Sequence, residues 1–118
     1  MTKKYYFNIT PVAKPRMVNS DRWNERKATG QYWAYKDELR LKTNLQKYVL
    51  KDVLDVTFLI STKKKELWGK PHQIKSDLDN LIKGWMDALS DHDQTVYEIH
   101  ARKLWSENAG IEVIETEL

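Results

Sequence analysis

Residues 75–93 combine a helical apolar pattern with a dense group of acids. They read KSDLDNLIKGWMDALSDHD, and the five aspartates are Asp77, Asp79, Asp87, Asp91 and Asp93. Two carboxylates about 5 Å apart repel each other by roughly 3 kcal/mol at an effective dielectric constant near 20. A fold that brings such acids together must therefore supply a cation or raise the pKa of some of them.

The apolar pattern in this stretch predicts a short helix that Ser76 or Asp77 caps at its N-terminus. Its apolar positions are Leu78, Leu81, Ile82, Trp85, Met86 and Leu89. Asp79, Lys83 and Asp87 follow one another at four-residue steps and therefore share the opposite face. Their simplest role is to form surface ion pairs, each worth a few tenths of a kcal/mol.

The rest of the chain predicts strands and one further helix. Period-two alternation indicates strands at residues 4–10, 53–61, 95–105 and 111–114, the last two joined as a hairpin. A loop at 62–76, which contains Gly69 and Pro71, separates the second strand from the acidic helix. The predicted fold is α/β or α+β, a small mixed β-sheet with two main helices packed on it, in a single domain over residues 1–118.

The longer helix is predicted over residues 31–51, which contain no proline or glycine. Three- and four-residue steps predict that its buried face carries Trp33, Leu41, Leu45 and either Tyr48 or Val49. The side chains expected on other faces are those of Tyr32, Lys36, Arg40, Lys42 and Lys47.

The net charge of +3 conceals two oppositely charged segments. Residues 1–76 hold 17 Lys and Arg against 7 Asp and Glu, whereas residues 77–118 hold 3 against 10. A basic segment joined to an acidic one suits a protein that binds a polyanion and a cation, although solvated surfaces give the same pattern. The candidate phosphate contacts are Lys14, Arg16 and Arg22 in a proline-containing basic loop, and Lys75.

Several classes of protein are excluded or made less plausible by what the sequence lacks. It has no cysteine, so disulfides and thiolate metal sites are impossible. It has no glycine-rich phosphate loop and neither a G-x-S-x-G nor an H-E-x-x-H motif. No apolar run approaches the roughly 20 residues of a membrane span, and the N-terminus does not resemble a signal peptide. We therefore expect a cytoplasmic protein with no membrane partner.

The carboxylates remain as the candidate chemistry, because hard oxygen ligands suit Mg²⁺ or Mn²⁺. Asp77 and Asp79 are two residues apart and project the same way if the approach to the helix is extended. Asp93 can return to the same end only if the helix runs antiparallel to its flanking strands. Carboxylate-bound Mg²⁺ beside a basic surface is typical of phosphodiester hydrolysis.

The same stretch resembles the RusA family of Holliday-junction resolvases, which is common in phages and prophages. The family pattern is roughly D-L-D-N-x-x-K-x-x-x-D-A-L, then a D-D turn, then a strand with E-[IL]-x-x-x-[RK]. The matching residues are Asp77, Leu78, Asp79, Asn80, Lys83, Asp87, Ala88, Leu89, Glu98, Ile99, Arg102 and Lys103. The opening P-V-A-K-P-R-M is also similar to the proline-rich basic start of the family.

This resemblance implies a Mg²⁺-dependent homodimeric endodeoxyribonuclease that resolves four-way DNA junctions by paired symmetric nicks, in recombination and repair. The family's catalytic acids and metal ligands correspond to Asp77 and Asp79. The third is Asp93 when counted back from Glu98, or Asp91 when counted forward through the D-H-D turn, and we prefer Asp93. Lys83 corresponds to the functional lysine of the family, and Asp87 is a supporting residue that orients Lys83.

Two other readings remain open at the level of sequence. In the first, the chain is a non-catalytic protein that binds branched DNA, and its acids serve helix capping and ion pairs. His92 supports it, because it stands where the family's turn has an acid. In the second, the chain is a dimerisation domain with a basic segment that serves solubility alone. DNA binding that weakens as salt rises would separate the first reading from the second.

Overall fold

The computed structural model describes residues 2–15, 27–75, 77–89 and 96–116. The elements in chain order are strand β1 Thr2–Phe7, helix α1 Lys27–Leu45, strand β2 Val53–Ser61, helix α2 Leu78–Ala88, strand β3 Glu98–Ser106 and strand β4 Gly110–Thr116. The four strands form one mixed sheet in the order β1-β4-β2-β3. The fold is α+β with two main helices, as the sequence predicts.

Strand β2 is the central strand, and its predicted bounds are confirmed. It pairs in parallel with β3 along its whole length and antiparallel with β4. Leu54, Val56 and Phe58 alternate along β2 and are fully buried under the helices. The same alternation buries Tyr5 and Phe7 on β1, a strand that runs over residues 2–7 rather than 4–10.

The predicted hairpin of the last two strands is wrong, because β2 lies between β3 and β4. The chain leaves β3 at Ser106, which pairs with Ser61 at the end of β2, and begins β4 at Gly110, which pairs with Leu59. Two strand spacings are about 9.6 Å, and four residue steps reach about 13 Å. The short turn is thus long enough to cross over the end of β2.

Trp85 of α2 lies at the centre of the core. Its side chain is fully buried, and its ring centroid lies 5.8 Å from that of Phe7 and 5.8 Å from that of Tyr48. The apolar face predicted for α2 is confirmed, since Leu81 and Trp85 are buried and the other predicted positions pack partly buried against the core. This packing fixes the rotation of α2 and so determines which residues it presents to solvent.

The buried face predicted for α1 is wrong at Trp33, Leu41 and Leu45, which are exposed, although the predicted Tyr48 is buried just beyond the helix. The buried stripe consists of Tyr32, Tyr35, Lys36, Leu39 and Thr43. Tyr32, Tyr35 and Leu39 are the residues of this stripe that belong to the apolar core. Lys36 lies there because its ammonium stacks 5.1 Å from the Tyr32 ring centroid and 4.3 Å from that of Trp33.

Helix α1 also ends earlier than the sequence predicts. Lys47 has a left-handed φ of 58°, the Tyr48 amide donates to the Thr43 carbonyl at 2.9 Å, and the Lys47 amide donates to Asn44 at 3.0 Å. This pair of hydrogen bonds is a Schellman motif, which usually places glycine at the left-handed position. Because a lysine occupies it here, the sequence carries no stop signal before residue 51.

The connection from β2 to α2 is partly ordered by the edge of β3. It contains a short 3₁₀-helix, Lys65–Leu67, and a bridge between Pro71 and Leu104. The Trp105 amide donates to the Lys70 carbonyl at 2.9 Å, and the His72 amide donates to the Lys103 carbonyl at 3.1 Å. Among the helices of the described ranges, none is long and apolar enough to cross a membrane.

Candidate active site

Asp77 is the N-cap residue of α2, but its carboxylate does not cap the helix. The backbone is extended at φ −66° and ψ 137°, and its carbonyl accepts hydrogen bonds from the amides of Asn80 and Leu81, each at 3.1 Å. The side chain makes no capping hydrogen bond and is exposed. An acid at an N-cap usually accepts a hydrogen bond from the first turn. The Asp77 carboxylate is therefore left available to a ligand.

Asp79 lies in the first turn of α2 and faces solvent. Its Oδ2 lies 3.8 Å from Nζ of Lys83, one turn further along, and both side chains are more than half exposed. An exposed pair of this kind contributes only a few tenths of a kcal/mol to stability. The pair therefore costs little to break when Asp79 or Lys83 meets another partner.

The segment that precedes Asp77 is held by β3. Lys103, which the family pattern matches, donates from Nζ to the Ile74 carbonyl at 2.8 Å. Together with the hydrogen bond from the His72 amide to the Lys103 carbonyl, this contact holds residues 72–74 against β3. Lys75 follows and is exposed. Lys103 of the strand motif thus helps to position the segment that precedes Asp77.

Arg102, the other basic residue of that motif, lies on the sheet face away from the helices. Its Nη1 donates to Asp55 Oδ1 at 3.0 Å and to Thr57 Oγ1 at 2.7 Å. Asp55 and Thr57 alternate with the core residues of β2, so this cluster is separated from the acids of α2 by the sheet. On the same strand, His100 and Glu98 lie 2.6 Å apart through Nε2 and Oε2.

Asp87 contacts residues other than Lys83. Its Oδ2 accepts a hydrogen bond from the Tyr32 hydroxyl at 2.7 Å and lies 2.9 Å from Nζ of Lys14. Lys83 pairs with Asp79 instead. In the structure Asp87 therefore contacts Lys14, a residue far away in the sequence, and not Lys83, its neighbour on the helix.

Residues 11–15 (PVAKP), which we call the N-terminal arm, lie directly on α2. The Lys14 amide donates to the Asn80 carbonyl at 2.9 Å. A Cβ at Gly84 would lie only 3.0 Å from the Val12 carbonyl oxygen, so the arm approaches the helix backbone at the one position without a side chain. The isolated glycine in a helical pattern was a sequence signal for this contact, and sequence reasoning missed it.

The charge of Asp87 is stabilised by its contacts. Burial raises the pKa of its carboxyl, but hydrogen bonds from Tyr32 and Lys14 and the positive charges of Lys14 and Lys36 outweigh it. The pKa of Asp87 in the folded protein is therefore lowered from its ordinary 3.8. For the Tyr32 phenol, burial and then the hydrogen bond to Asp87 raise the pKa.

We expect Asp87→Asn to lower the free energy of unfolding by about 1 kcal/mol at pH 7, because it weakens a partly exposed, charge-assisted contact. A lowered folded-state pKa gives stability that is present above the unfolded pKa and lost as the pH falls through the folded pKa. The difference between wild type and Asp87→Asn in urea unfolding should therefore shrink below about pH 4. A difference that stays constant down to pH 3 would contradict this assignment.

The remaining predicted site residues lie outside the described residues: Arg16, Arg22, Asp91 and Asp93, as does His92 of the D-H-D turn. Within residues 2–15, 27–75, 77–89 and 96–116, no three His, Asp or Glu side chains are grouped to hold a metal ion. The described part of the predicted metal site is therefore Asp77 and Asp79. The third acid stays a prediction.

The fold and this site define a class: an α+β protein with exposed acids at the start of one helix and an N-terminal arm docked on that helix. The family model described as endodeoxyribonuclease RusA matches residues 7–114 of the 118. The chain therefore belongs to the RusA endodeoxyribonuclease family, whose activity is directed at DNA junctions. No curated protein matches it. The matched range includes the N-terminal arm, both helices and β3.

Proposed function

We propose that this chain is a Mg²⁺-dependent endonuclease that resolves four-way DNA junctions by paired symmetric nicks during recombination and repair. The observation that supports the proposal is the pair of exposed carboxylates, Asp77 and Asp79, at the start of α2. Both side chains are exposed, and Asp77 makes no capping hydrogen bond. The Asp77 carboxylate thus has no part in capping the helix, and the Asp79 carboxylate forms only a weak surface pair with Lys83 among the described residues.

The donor set fits a hard divalent cation. Carboxylate oxygens are the ligands that Mg²⁺ and Mn²⁺ prefer, and the two acids are close in sequence at one helix end. Asp77 and Asp79 would hold the ion, with Asp93 as third ligand in preference to Asp91. When bound, Mg²⁺ lowers the pKa of a water molecule and stabilises negative charge on the reacting phosphate.

The basic residues are proposed to hold the DNA backbone around these acids. Lys83 lies one turn from Asp79 and is mostly exposed, so its ammonium can contact the phosphate that is cut. Arg16 and Arg22, which follow the arm in sequence, and the exposed Lys75 would contact flanking phosphates. Lys14 is the remaining basic residue of this set, and its ammonium lies against Asp87.

Paired symmetric nicks require two equivalent active sites, so the active form is proposed to be a homodimer. A four-way junction presents two equivalent strands related by a two-fold axis. A two-fold dimer offers one active site to each of them. Light scattering of the protein alone and of its junction complex would measure the stoichiometry.

The test is cleavage of a synthetic four-way junction that is labelled in turn on each strand. With Mg²⁺ we expect nicks at symmetric positions on two opposing strands, with no product in EDTA and none from a linear duplex of the same sequence. Uncut junction with both Mg²⁺ and Mn²⁺ would contradict the proposal. If junction binding then survived EDTA, the chain would be the non-catalytic branched-DNA-binding protein.

A further inference from the structure

We propose that Asp87 is a positioning residue that holds the N-terminal arm against α2 beside Asp79, through its ion pair with Lys14. The inference rests on the proposed function, because it assigns Asp87 a part in placing the N-terminal arm, from which the chain continues to the proposed phosphate contacts Arg16 and Arg22. It replaces the expectation that Asp87 orients Lys83, since Lys83 pairs with Asp79.

Lys14 is attached to α2 at two points. Its amide donates to the carbonyl of Asn80, the residue after Asp79, and its ammonium lies 2.9 Å from Asp87. Asn80 and Asp87 are seven residues apart, which is about two turns or 10 Å along a helix. The lysine side chain therefore lies along α2 and joins the arm to both the acidic end and the far end of the helix.

The carboxylate that receives Lys14 is itself held in place. Tyr32 is 1% exposed, so the hydroxyl that donates to Asp87 sits at the tip of a fixed ring. Lys36 is 8% exposed and adds a second positive charge next to the carboxylate. Because α1 fixes both neighbours, the Asp87 carboxylate has a defined position at which it can hold the Lys14 ammonium.

Gly84 allows the arm to pack closely against the helix, because it has no side chain. The Val12 carbonyl lies where a side chain at Gly84 would begin, so the arm backbone contacts the helix backbone between Asn80 and Asp87. Three contacts thus define the position of the arm on α2. Lys14 contacts Asn80 through its amide and Asp87 through its ammonium, and Val12 contacts Gly84. Pro15 follows Lys14, and the chain continues in sequence to Arg16.

Because Asp87 is negatively charged, the direction in which Asp87→Asn changes the cleavage rate tests the proposal. If charge alone mattered, Asp87→Asn would strengthen DNA binding, because it removes an anion and frees Lys14 for a phosphate. If Asp87 positions the arm, the same change slows cleavage although the protein becomes more positive. A misplacement of about 1 Å at a site of this kind can cost up to about 100-fold in rate.

The experiment measures single-turnover cleavage of a four-way junction at saturating enzyme, with wild type, Asp87→Asn, Lys14→Met, the double variant and Lys14→Arg. We expect Asp87→Asn and Lys14→Met each to slow cleavage about tenfold. The double variant should be within about twofold of either single change, because both break one contact. Lys14→Arg keeps the ion pair and should restore the rate to within about twofold of wild type.

The control is Glu112→Gln, which removes one acidic charge from an ion pair on the sheet, with Lys4 at 3.5 Å. The side chains of Glu112 and Asp87 are similarly exposed, at 29% and 33%. Because Glu112 lies on β4, away from α2, its loss changes the net charge equally without touching the arm. Cleavage by Glu112→Gln should match wild type.

A second measurement does not depend on cleavage. Hydrogen exchange of the Lys14 amide, followed by NMR, reports whether its hydrogen bond to Asn80 stays closed. We expect exchange to be about tenfold faster in Asp87→Asn and unchanged in Glu112→Gln. If wild type cuts no junction but this difference appears, the nuclease proposal fails and the positioning of the arm stands.

Two results would overturn the positioning role. The first is an Asp87→Asn protein that cuts at the wild-type rate with a Lys14 amide as protected as in wild type. The second is an additive loss of cleavage rate in the double variant, together with a weaker salt dependence of DNA binding in Lys14→Met alone. If the slope of the logarithm of the DNA-binding constant against the logarithm of the salt concentration falls in magnitude by about 1 in that variant, Lys14 is a direct phosphate contact.

Discussion

Replacing Asp79 with asparagine should slow junction cleavage by about 100- to 1,000-fold, because the proposed metal site would lose one of its carboxylate ligands and with it several kcal/mol of transition-state stabilisation. Binding should persist, since the change removes a negative charge from the proposed DNA-binding surface. Asparagine keeps the size of the side chain, and the ion pair with Lys83 that it breaks is exposed. Cleavage with Mg²⁺ and junction affinity in EDTA, measured on the same preparation, separate the two effects.

Asp37→Asn is the matched control for this change. Asp37 is also an exposed acid on a helix, and it pairs with Arg40 at 3.7 Å, much as Asp79 pairs with Lys83 at 3.8 Å. The two substitutions therefore remove the same charge and a similar ion pair. Cleavage by Asp37→Asn should equal that of wild type. Equal rates for the two variants would remove Asp79 from the catalytic site.

Replacing Trp85 with alanine should lower the free energy of unfolding by about 3–5 kcal/mol, because it opens a large cavity at the centre of the core. That loss is a large part of the roughly 5–15 kcal/mol that a domain of this kind has in total. Trp85→Phe should cost only about 1–2 kcal/mol. It keeps an aromatic ring against Phe7 and Tyr48, and it removes a buried indole N–H that finds no partner among the described residues.

Urea unfolding of wild type, the two Trp85 variants and a control measures these differences. Tyr97→Ala is the control, since Tyr97 is 76% exposed and its loss should cost less than about 1 kcal/mol. Wild type, Tyr97→Ala and Trp85→Phe should be close in stability, with Trp85→Ala well below them. A Trp85→Ala protein within 1 kcal/mol of wild type would show that the core is not organised around this residue.

The sequence predicts best the elements whose apolar pattern has one interpretation. Strand β2 has an apolar residue at every second position from Leu54 to Ile60, and it has the predicted bounds. Helix α2 is also predicted well, because Leu81 and Trp85 fall on a single face between clear helix signals. Each pattern lies within one short stretch of chain, and the face that carries its apolar residues is the face that packs into the core.

The sequence misleads where burial depends on partners in distant parts of the chain. On α1 the residues that look apolar, such as Leu41 and Leu45, are exposed, and a stripe with two tyrosines and a lysine is buried. Lys36 can lie there only because two aromatic rings accept its ammonium. The places of β3 and β4 in the sheet likewise depend on which edge of β2 each of them pairs with. The short turn between the two strands predicts instead that they pair with each other.

The candidate site divides in the same way. Asp77, Asp79 and Lys83 are predicted from one local motif, and the structure places them on the exposed start of α2. The partners of Asp87 are not predictable, because Tyr32 lies 55 positions away and Lys14 still farther. Packing of α1 on α2 brings Tyr32 to Asp87, and docking of the N-terminal arm at Gly84 brings Lys14 there.

The central claim is that Asp77 and Asp79 together hold the catalytic metal ion. The most direct measurement is a crystal structure of the protein with Mn²⁺, in which anomalous scattering locates the ion. We predict an ion bound to carboxylate oxygens of Asp77 and Asp79, and to one acid of the D-H-D turn, with no such ion in Asp79→Asn. A Mn²⁺-dependent, active protein whose ion is bound elsewhere would contradict the claim.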